Sequence, residues 1–472
     1  MRTTPALLAL AVSLAPAAGC DRPAPSRAGD PSATGRRPNV VLFSIDTLRA
    51  RNLGCYGYER PTSPTIDALA KDGILFETVY SQSPKTGPSH MTMMTGLHPG
   101  AHQVTNFGSA DPRSLSPAIP TLAEILKENG YATFASTAGG NVKPELGFGK
   151  GFDEYTVRSG DVDRNVKVAI RQVESHLASG RDVPFFLFLH TYQVHDPYFP
   201  PSECAKRFIS DRSYGGRIVD SPHELARIET SPDGQHEAYW SRVDRDDPAD
   251  LRRLVDLYDA CISATDSAFA RLVDALRRKG AYGETIIVVT SDHGEEFLEH
   301  GQFLHNSIYR EVVHVPLIVR LPGGRHAGRR VGGIARLVDL TPTLLDLLSI
   351  RTRATFQGES LFRDGAPVEA PREAFCEWTT RGEVSLFQYS IRTLDWTYML
   401  FGDEAFGLFA AKEISERANL LDANREVASR LDLRIRRLQR DGEAFAAALP
   451  AGEEIELAKE TRAQLEQLGY LK

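Results

Sequence analysis

Four residues in three well-separated segments have the types needed for ester chemistry at a metal ion. Asp46 ends the apolar run NVVLFSID, Asp292 and His293 follow the run TIIVVT, and Thr86 opens the segment TGPSHMTMMTG. A lone aspartate at a strand end is ordinarily a turn former. Two carboxylates and an imidazole at strand ends, taken together, supply hard and borderline donors for one shared divalent cation. Thr86 precedes Gly87, Pro88 and a helix-like run, which predicts it at an N-cap with Pro88 in the first turn. A hydroxyl there faces unpaired amides and the positive end of the helix dipole. It serves either as a simple cap or as a nucleophile toward a tetrahedral oxyanion, activated by a bound cation.

The elements that must hold these residues are legible as alternating runs. Residues 39–46, 131–137, 184–190, 285–292 and 315–321 are short and rich in Val, Ile and Phe. They read as buried, mostly parallel strands. Between them, residues 121–129, 251–278 and 340–348 carry apolar positions at helical spacing. This predicts an α/β sandwich around one mostly parallel sheet, with ligands gathered at the carboxyl ends of the strands. The texture changes near Glu369: residues 385–391 and 396–401 suggest a small antiparallel sheet, residues 425–440 a charged helix and 460–472 a short terminal one. We therefore expect a catalytic domain over 38–368 and a C-terminal α+β subdomain over 369–472.

The chain of 472 residues, 42% hydrophobic and 25% charged, is long enough for one large core and a smaller one. With 55 Lys and Arg against 62 Asp and Glu it carries a net charge of −7, no basis for holding nucleic acid. Arg2, an apolar stretch over 6–18 and the small residues Ala17, Ala18 and Gly19 before Cys20 read as a secretion signal over 1–20. The pattern is similar to a bacterial lipobox, although Ala17 stands where Leu is usual. It predicts an acylated Cys20, membrane attachment through that lipid and a periplasmic or cell-surface lipoprotein; an ordinary signal peptide predicts export equally. Residues 21–37, rich in Pro, Ala, Ser and Gly, suit a flexible tether. Cys55, Cys204, Cys261 and Cys376 can form two disulfides in an oxidising compartment or stay free.

In their order, the three chemical segments resemble the sulfatase family of the alkaline phosphatase superfamily. The residues that carry the resemblance are Asp46-Thr-Leu-Arg with Leu53-Gly-Cys-Tyr-Gly, Thr86-Gly-Pro-Ser-His with Thr95-Gly96, His195-Asp-Pro-Tyr with Pro200-Pro201, and Ser291-Asp-His-Gly-Glu with His300-Gly. Val315-Pro-Leu-Ile-Val, Asp339-Leu-Thr-Pro-Thr-Leu-Leu-Asp, Asn419-Leu and Leu468-Gly-Tyr-Leu extend it to the terminus. The resemblance implies Asp46, Asp292, His293 and Thr86 as metal ligands, with Thr86 also the nucleophile. It implies that His195 and His305 contact the substrate or protonate its leaving group. His190 either joins them or is a structural strand-end histidine. His90 stands where the family has Arg, and either binds substrate or supports the helix.

Three departures shape the expected chemistry. Sulfatases of the formylglycine type oxidise Cys or Ser to an aldehyde whose hydrate has two hydroxyls. Threonine has one, and His90 replaces the Arg of the maturation signal, so formylglycine is not expected; a covalent Thr ester broken by water tilts the chemistry toward phosphate without excluding sulfate. Thr47 replaces a further carboxylate and His305 a frequent Lys, favouring Zn or Mn over Ca; Zn, Mn, Ca and Mg all stay open as the one divalent ion. No histidine follows an Asp by four residues, so one metal ion is expected. The sequence thus predicts a metal-dependent hydrolase of sulfate or phosphate esters on a small molecule, glycan or lipid, with the insertion over 203–248 shaping the pocket. Its alternatives are a phosphoryl-group transferase of the cell envelope and a catalytically silent binding protein of the same fold.

Overall fold

The computed structural model describes residues 37–106, 112–158, 161–229, 234–380, 386–455 and 458–468. The signal segment, Cys20 and most of the tether lie outside them. The central sheet contains β1 (Asn39–Ile45), β2 (Ile74–Tyr80), β3 (Ala132–Thr137), β4 (Glu154–Val157), β5 (Phe185–Thr191), β6 (Thr285–Thr290), β7 (Leu317–Arg320) and β8 (Arg329–Arg336). Their order is β8-β2-β7-β6-β1-β5-β3-β4. β7 runs antiparallel to both β2 and β6, and the other pairs are parallel. The expected mostly parallel sheet is therefore observed, with β7 antiparallel; the segment that leads to it from β6 holds only a small hairpin and the one-turn helix Arg310–Val313.

Strands β1, β5 and β6 form the centre, and their side chains alternate between two cores. Val40, Leu42, Phe186, Phe188, Ile286 and Val288 join one cluster; Val41, Phe43, Leu187, Leu189, Ile287 and Val289 join the other. The first face is covered by α1 (Thr86–Thr95), α2 (Leu122–Glu128) and α6 (Leu340–Leu347), the second by α3 (Val162–Ala178) and α5 (Pro248–Arg278). Between α3 and α5 the insertion folds into short helices, of which α4 (Gln235–Trp240) turns back toward the sheet.

After the sheet, β9 (Ala374–Thr380), β10 (Leu386–Arg392), β11 (Trp396–Phe401) and β12 (Glu404–Ala410) form an antiparallel meander. It packs on α7 (Arg425–Ala447) through Ile391, Tyr398, Leu408, Leu431 and Ile435. The terminal helix α8 (Lys459–Gln467) lays Gln464 against the loop after β3, where its amide donates to Ala138 O. Cys55, Cys204, Cys261 and Cys376 are all free. No helix among the described residues is long and apolar enough to cross a membrane.

Candidate active site

Parallel pairing of β1 with β5 and β6 sets Ser44 opposite His190 and Thr290, so whatever follows these strands meets at one edge. Asp46 follows β1, and Ser291, Asp292 and His293 follow β6. The two loops are tied together by Ser291, whose hydroxyl accepts from Leu48 N at 2.9 Å and donates to His293 O at 2.6 Å. Thr47 sits at φ 55°, a sharp turn that aims its N–H at Asp292 Oδ1 (3.3 Å) while its hydroxyl donates to Val194 O (3.0 Å). Thr47 thus contributes backbone and not a ligand atom.

Helix α1 begins with Thr86 itself; Lys85, extended at φ −130°, is the residue before it and makes no side-chain cap. The predicted N-cap is therefore displaced by one residue, which puts Thr86 at the first helical position. Its hydroxyl lies 3.4 Å from His293 Nε2 and hydrogen-bonds to Asp46. Asp46, Asp292 and His293 present donor atoms all within 4.8 Å of one another. All four residues are completely buried. Yet Asp46 Oδ1 and Asp292 Oδ2 have no hydrogen-bond partner. Burial pushes the Asp46 carboxyl well up, and burial together with the Asp46 charge pushes Asp292 up to about 8. Burial also drives His293 well down, so its imidazole is neutral. Two buried carboxylates with unfilled lone pairs beside a neutral imidazole and a hydroxyl are the donor set of a divalent cation, and the residues present fit one.

Two further histidines stand behind this set. The Nδ1–H of His90 donates to Thr86 O at 2.8 Å, and its Nε2 accepts from Ser44 Oγ at 2.9 Å. His190 Nε2 is 3.3 Å from Asp46 Oδ2, and the two rings meet edge to face at 4.8 Å. Both are completely buried, and burial lowers His90 to about 4 and His190 to about 3. The expectation that His90 reaches substrate is not met by this geometry: both ring nitrogens are occupied by the protein, and the ring orients Thr86 and the carboxylates from below.

His195 and His305 lie on the other side of His293, with ring centroids 5.2 Å apart and His305 4.5 Å from His293. Each has its own carboxylate. His195 Nδ1 donates to Asp196 O at 2.6 Å and sits 3.3 Å from Asp196 Oδ1; His305 Nδ1 is 3.1 Å from Glu295 Oε1. Asp196 Oδ2 accepts from His236 Nε2 (2.8 Å) and Trp240 Nε1 (2.7 Å), both on α4. Burial pushes Asp196 up, but His236, His195 and Trp240 outweigh it and hold the carboxyl below its ordinary value. Glu295 Oε2 accepts from Tyr198 OH at 3.1 Å.

Of the residues singled out in the sequence, Asp46, Thr86, Asp292, His293, His195 and His305 are brought together, and His190 lies against Asp46. Asp196 and Glu295, which the sequence reading assigns no role, are the carboxylate partners of His195 and His305; their positions next to His195 and after His293-Gly294 are the signal for them. Tyr192, which hydrogen-bonds to Thr86, and Lys85, whose ammonium lies 4.6 Å from the Trp378 ring centroid, had none.

Comparison with known proteins places this geometry. The model of the sulfatase family matches residues 38–350, and that of the N-sulphoglucosamine sulphohydrolase C-terminal region matches 298–441. Arylsulfatase K of Gallus gallus is 26% identical over 445 residues, covering 84% of this chain and 80% of its own. Iduronate 2-sulfatase of Homo sapiens is 25% identical over 476 residues, covering 77% and 84%. In fold, the chain is similar to a protein solved with its substrate D-glucosamine-2-N,6-O-disulfate (TM-score 0.71, 22% identity, 87% of this chain and 99% of that one). It is also similar to the phosphonate monoester hydrolase of Agrobacterium radiobacter (TM-score 0.69, 21% identity, 86% and 96%).

Proposed function

The chain belongs to the sulfatase family, within the alkaline phosphatase superfamily, and from that premise we propose that it hydrolyses sulfate or phosphorus esters with Thr86 as nucleophile and one divalent metal ion. The observation that carries this reading is the pair of unpartnered oxygens, Asp46 Oδ1 and Asp292 Oδ2, buried beside His293 and the Thr86 hydroxyl at the start of a helix. Asp46, Asp292, His293 and Thr86 would hold the cation, which would lower the pKa of the hydroxyl and neutralise charge on the transferred group.

The protein's own groups do the rest. In the first turn of α1 the Gly87 N–H is held by Asn106 Oδ1 (2.7 Å), the Ser89 N–H by Lys85 O (3.0 Å), and Pro88 has none, so what this turn offers the ester's oxygens is its positive dipole end. Thr86 Oγ1 enters as the alkoxide, forms its bond to sulfur or phosphorus as the bond to the leaving oxygen breaks, and is released as the alkoxide when water breaks the ester; the leaving oxygen takes a proton from the imidazole side of the pocket. His195 is placed for this donation by its carboxylate partner: burial lowers its pKa, and Asp196, 3.3 Å from Nδ1, offsets that only in part. His305, driven well down by burial, is a neutral base for the water that breaks the Thr86 ester in the second half. Its proton then resets the pair.

Threonine at this position supports phosphorus chemistry, because one hydroxyl cannot both hold the group and expel it as an aldehyde hydrate does. The similarity to proteins named for aryl sulfates, iduronate 2-sulfate, a disulfated glucosamine and phosphonate monoesters supports an anionic monoester on a small molecule or glycan. We place the enzyme outside the cytoplasm, tethered through Cys20, on the strength of the leader sequence. Labelling with a radioactive fatty acid that survives Cys20→Ala would remove the tether from this reading.

The test is turnover of 4-nitrophenyl sulfate, phosphate, phosphonate and phosphodiester by metal-loaded protein, followed by intact mass after acid quenching. We expect turnover of a phosphorus ester and a phosphoryl adduct on Thr86, both absent in Thr86→Ala. An adduct that needs an added alcohol acceptor to discharge would make the enzyme a transferase, and unchanged activity in Thr86→Ala would overturn the nucleophile.

A further inference from the structure

We propose that Tyr192 is a further catalytic residue, whose phenolic hydroxyl donates a hydrogen bond to Thr86 Oγ1 and then to a non-bridging oxygen of the group transferred onto it. Tyr192 directly follows β5, and it is 8% exposed. Its ring is clamped edge to face between His190 at 4.7 Å and His195 at 5.4 Å, one a support of Asp46 and the other on the leaving-group side. The side chain is thus fixed from both halves of the site.

Its hydroxyl has a defined polarity. The phenolic oxygen accepts the N–H of Asn141 at 2.9 Å. A backbone amide only donates, so the phenol's own hydrogen is left for another acceptor, and the side chain of Thr86 is within hydrogen-bonding reach of it. The loop after β3 is shaped for this approach. Gly140 lies at φ 56°, and a Cβ there would stand 2.6 Å from the Tyr192 hydroxyl. Only glycine satisfies both the backbone angle and the space, so the loop both delivers the Asn141 amide and leaves room for the phenol.

A donor is needed at this place. His90, one helical turn after Thr86, is neutral and bonded to Thr86 O and Ser44, so it offers no hydrogen to the transferred group. A neutral donor set before the reaction, in a site closed to water, stabilises charge that develops on the group without reorganising. Tyr192 supplies this donor without adding a charge beside the cation. The proposal rests on Thr86 being the nucleophile.

The experiment compares wild-type protein with Tyr192→Phe and with 2,3-difluorotyrosine at 192, all metal-loaded. It reads kcat and KM on the best ester, vanadate affinity by calorimetry, metal content and melting temperature. We expect Tyr192→Phe to lower kcat about 100-fold with KM within about twofold, and to weaken vanadate about tenfold. Metal content and melting temperature stay as in the wild type, and the difluorotyrosine protein, a stronger donor, keeps or exceeds wild-type kcat. The proposal is overturned if kcat and vanadate affinity are unchanged in Tyr192→Phe. It is equally overturned if both fall only together with metal content or melting temperature. A wild-type protein with no ester turnover, whose vanadate affinity still falls in Tyr192→Phe, sinks the hydrolase reading and leaves the Tyr192 contact standing.

Discussion

Two groups of aspartates in this molecule are equally buried and opposite in character. Asp339, which precedes α6, is completely buried and accepts Arg336 N (3.1 Å), Arg336 Nε (3.0 Å), an Arg336 terminal nitrogen (2.6 Å) and Glu359 N (2.9 Å). Arg372 Nε stands 3.7 Å away as a second cation. Asp46 and Asp292 are just as buried, face each other, and each keeps an oxygen with no hydrogen-bond partner. A buried carboxylate supplied with fixed guanidinium groups is scaffold; one whose lone pairs are left open is a receptor. Burial alone does not mark a site. The mismatch between burial and satisfaction does.

The contrast is sharpest in activity. Thr86→Ala should reduce turnover by on the order of 10⁴-fold or more with a stability change under about 1 kcal/mol; an unfolded variant would move Thr86 to the scaffold side. Asp46→Asn and Asp292→Asn should each weaken metal binding by at least about 100-fold, read by calorimetric titration with Zn and Mn, and Asp339→Asn should leave that affinity unchanged. In thermal stability the order reverses. Asp339→Asn should cost about 3–5 kcal/mol with or without metal, because two arginines lose their buried partner.

The metal-free protein offers a finer test through pH. Asp292 has an ordinary value of 3.8 and a folded value of about 8, so between these the unfolded chain binds fewer protons than the folded one. Stability of the metal-free protein therefore falls as pH rises through that window. Melting curves in chelator from pH 5 to pH 8 should show the decline, Asp292→Asn should flatten it, and added metal should abolish it. A flat wild-type curve would mean the two aspartates are not the unfilled pair described. The smallest effect belongs to an intermediate case: Glu377 on β9 is buried and its carboxylate accepts Gly100 N at 2.7 Å, and burial pushes it up from 4.5 to about 7. Its charge costs stability above that window, so Glu377→Gln should stabilise the protein by about 2 kcal/mol at pH 8 and have little effect at pH 4.

Much of this was readable from the chain. β1, β5 and β6 match almost residue for residue because they are apolar runs buried on both faces, and β3 matches although three of its six residues are Ser or Thr. β2 was missed because Glu77 and Thr78 interrupt its burial, β4 because it is four residues long and partly exposed, and β8 because Gly332 and Gly333 form a bulge between Val331 and Ile334. The metal donors were legible since strand ends concentrate function in such sheets. His90 was ambiguous because its role depends on a rotamer that turns it to Ser44. Tyr192 carried no signal at all, since a tyrosine ending a buried strand is indistinguishable from packing until the glycine turn opposite it is seen.

The order of the strands has a consequence for how the protein is made. β1 and β6 are neighbours at the centre of the sheet, yet 245 residues separate Thr47 from the Asp292 oxygen its amide holds. Such a pairing closes a very long loop, and chains dominated by distant pairings of this kind fold slowly. Neither half of the centre is a receptor alone: the first segment holds Asp46 and Thr86, and the last holds Asp292 and His293. On the proposed metal site, a cation could therefore be captured tightly only after the central strands have zipped together, so uptake of metal would be a clock for the completion of folding.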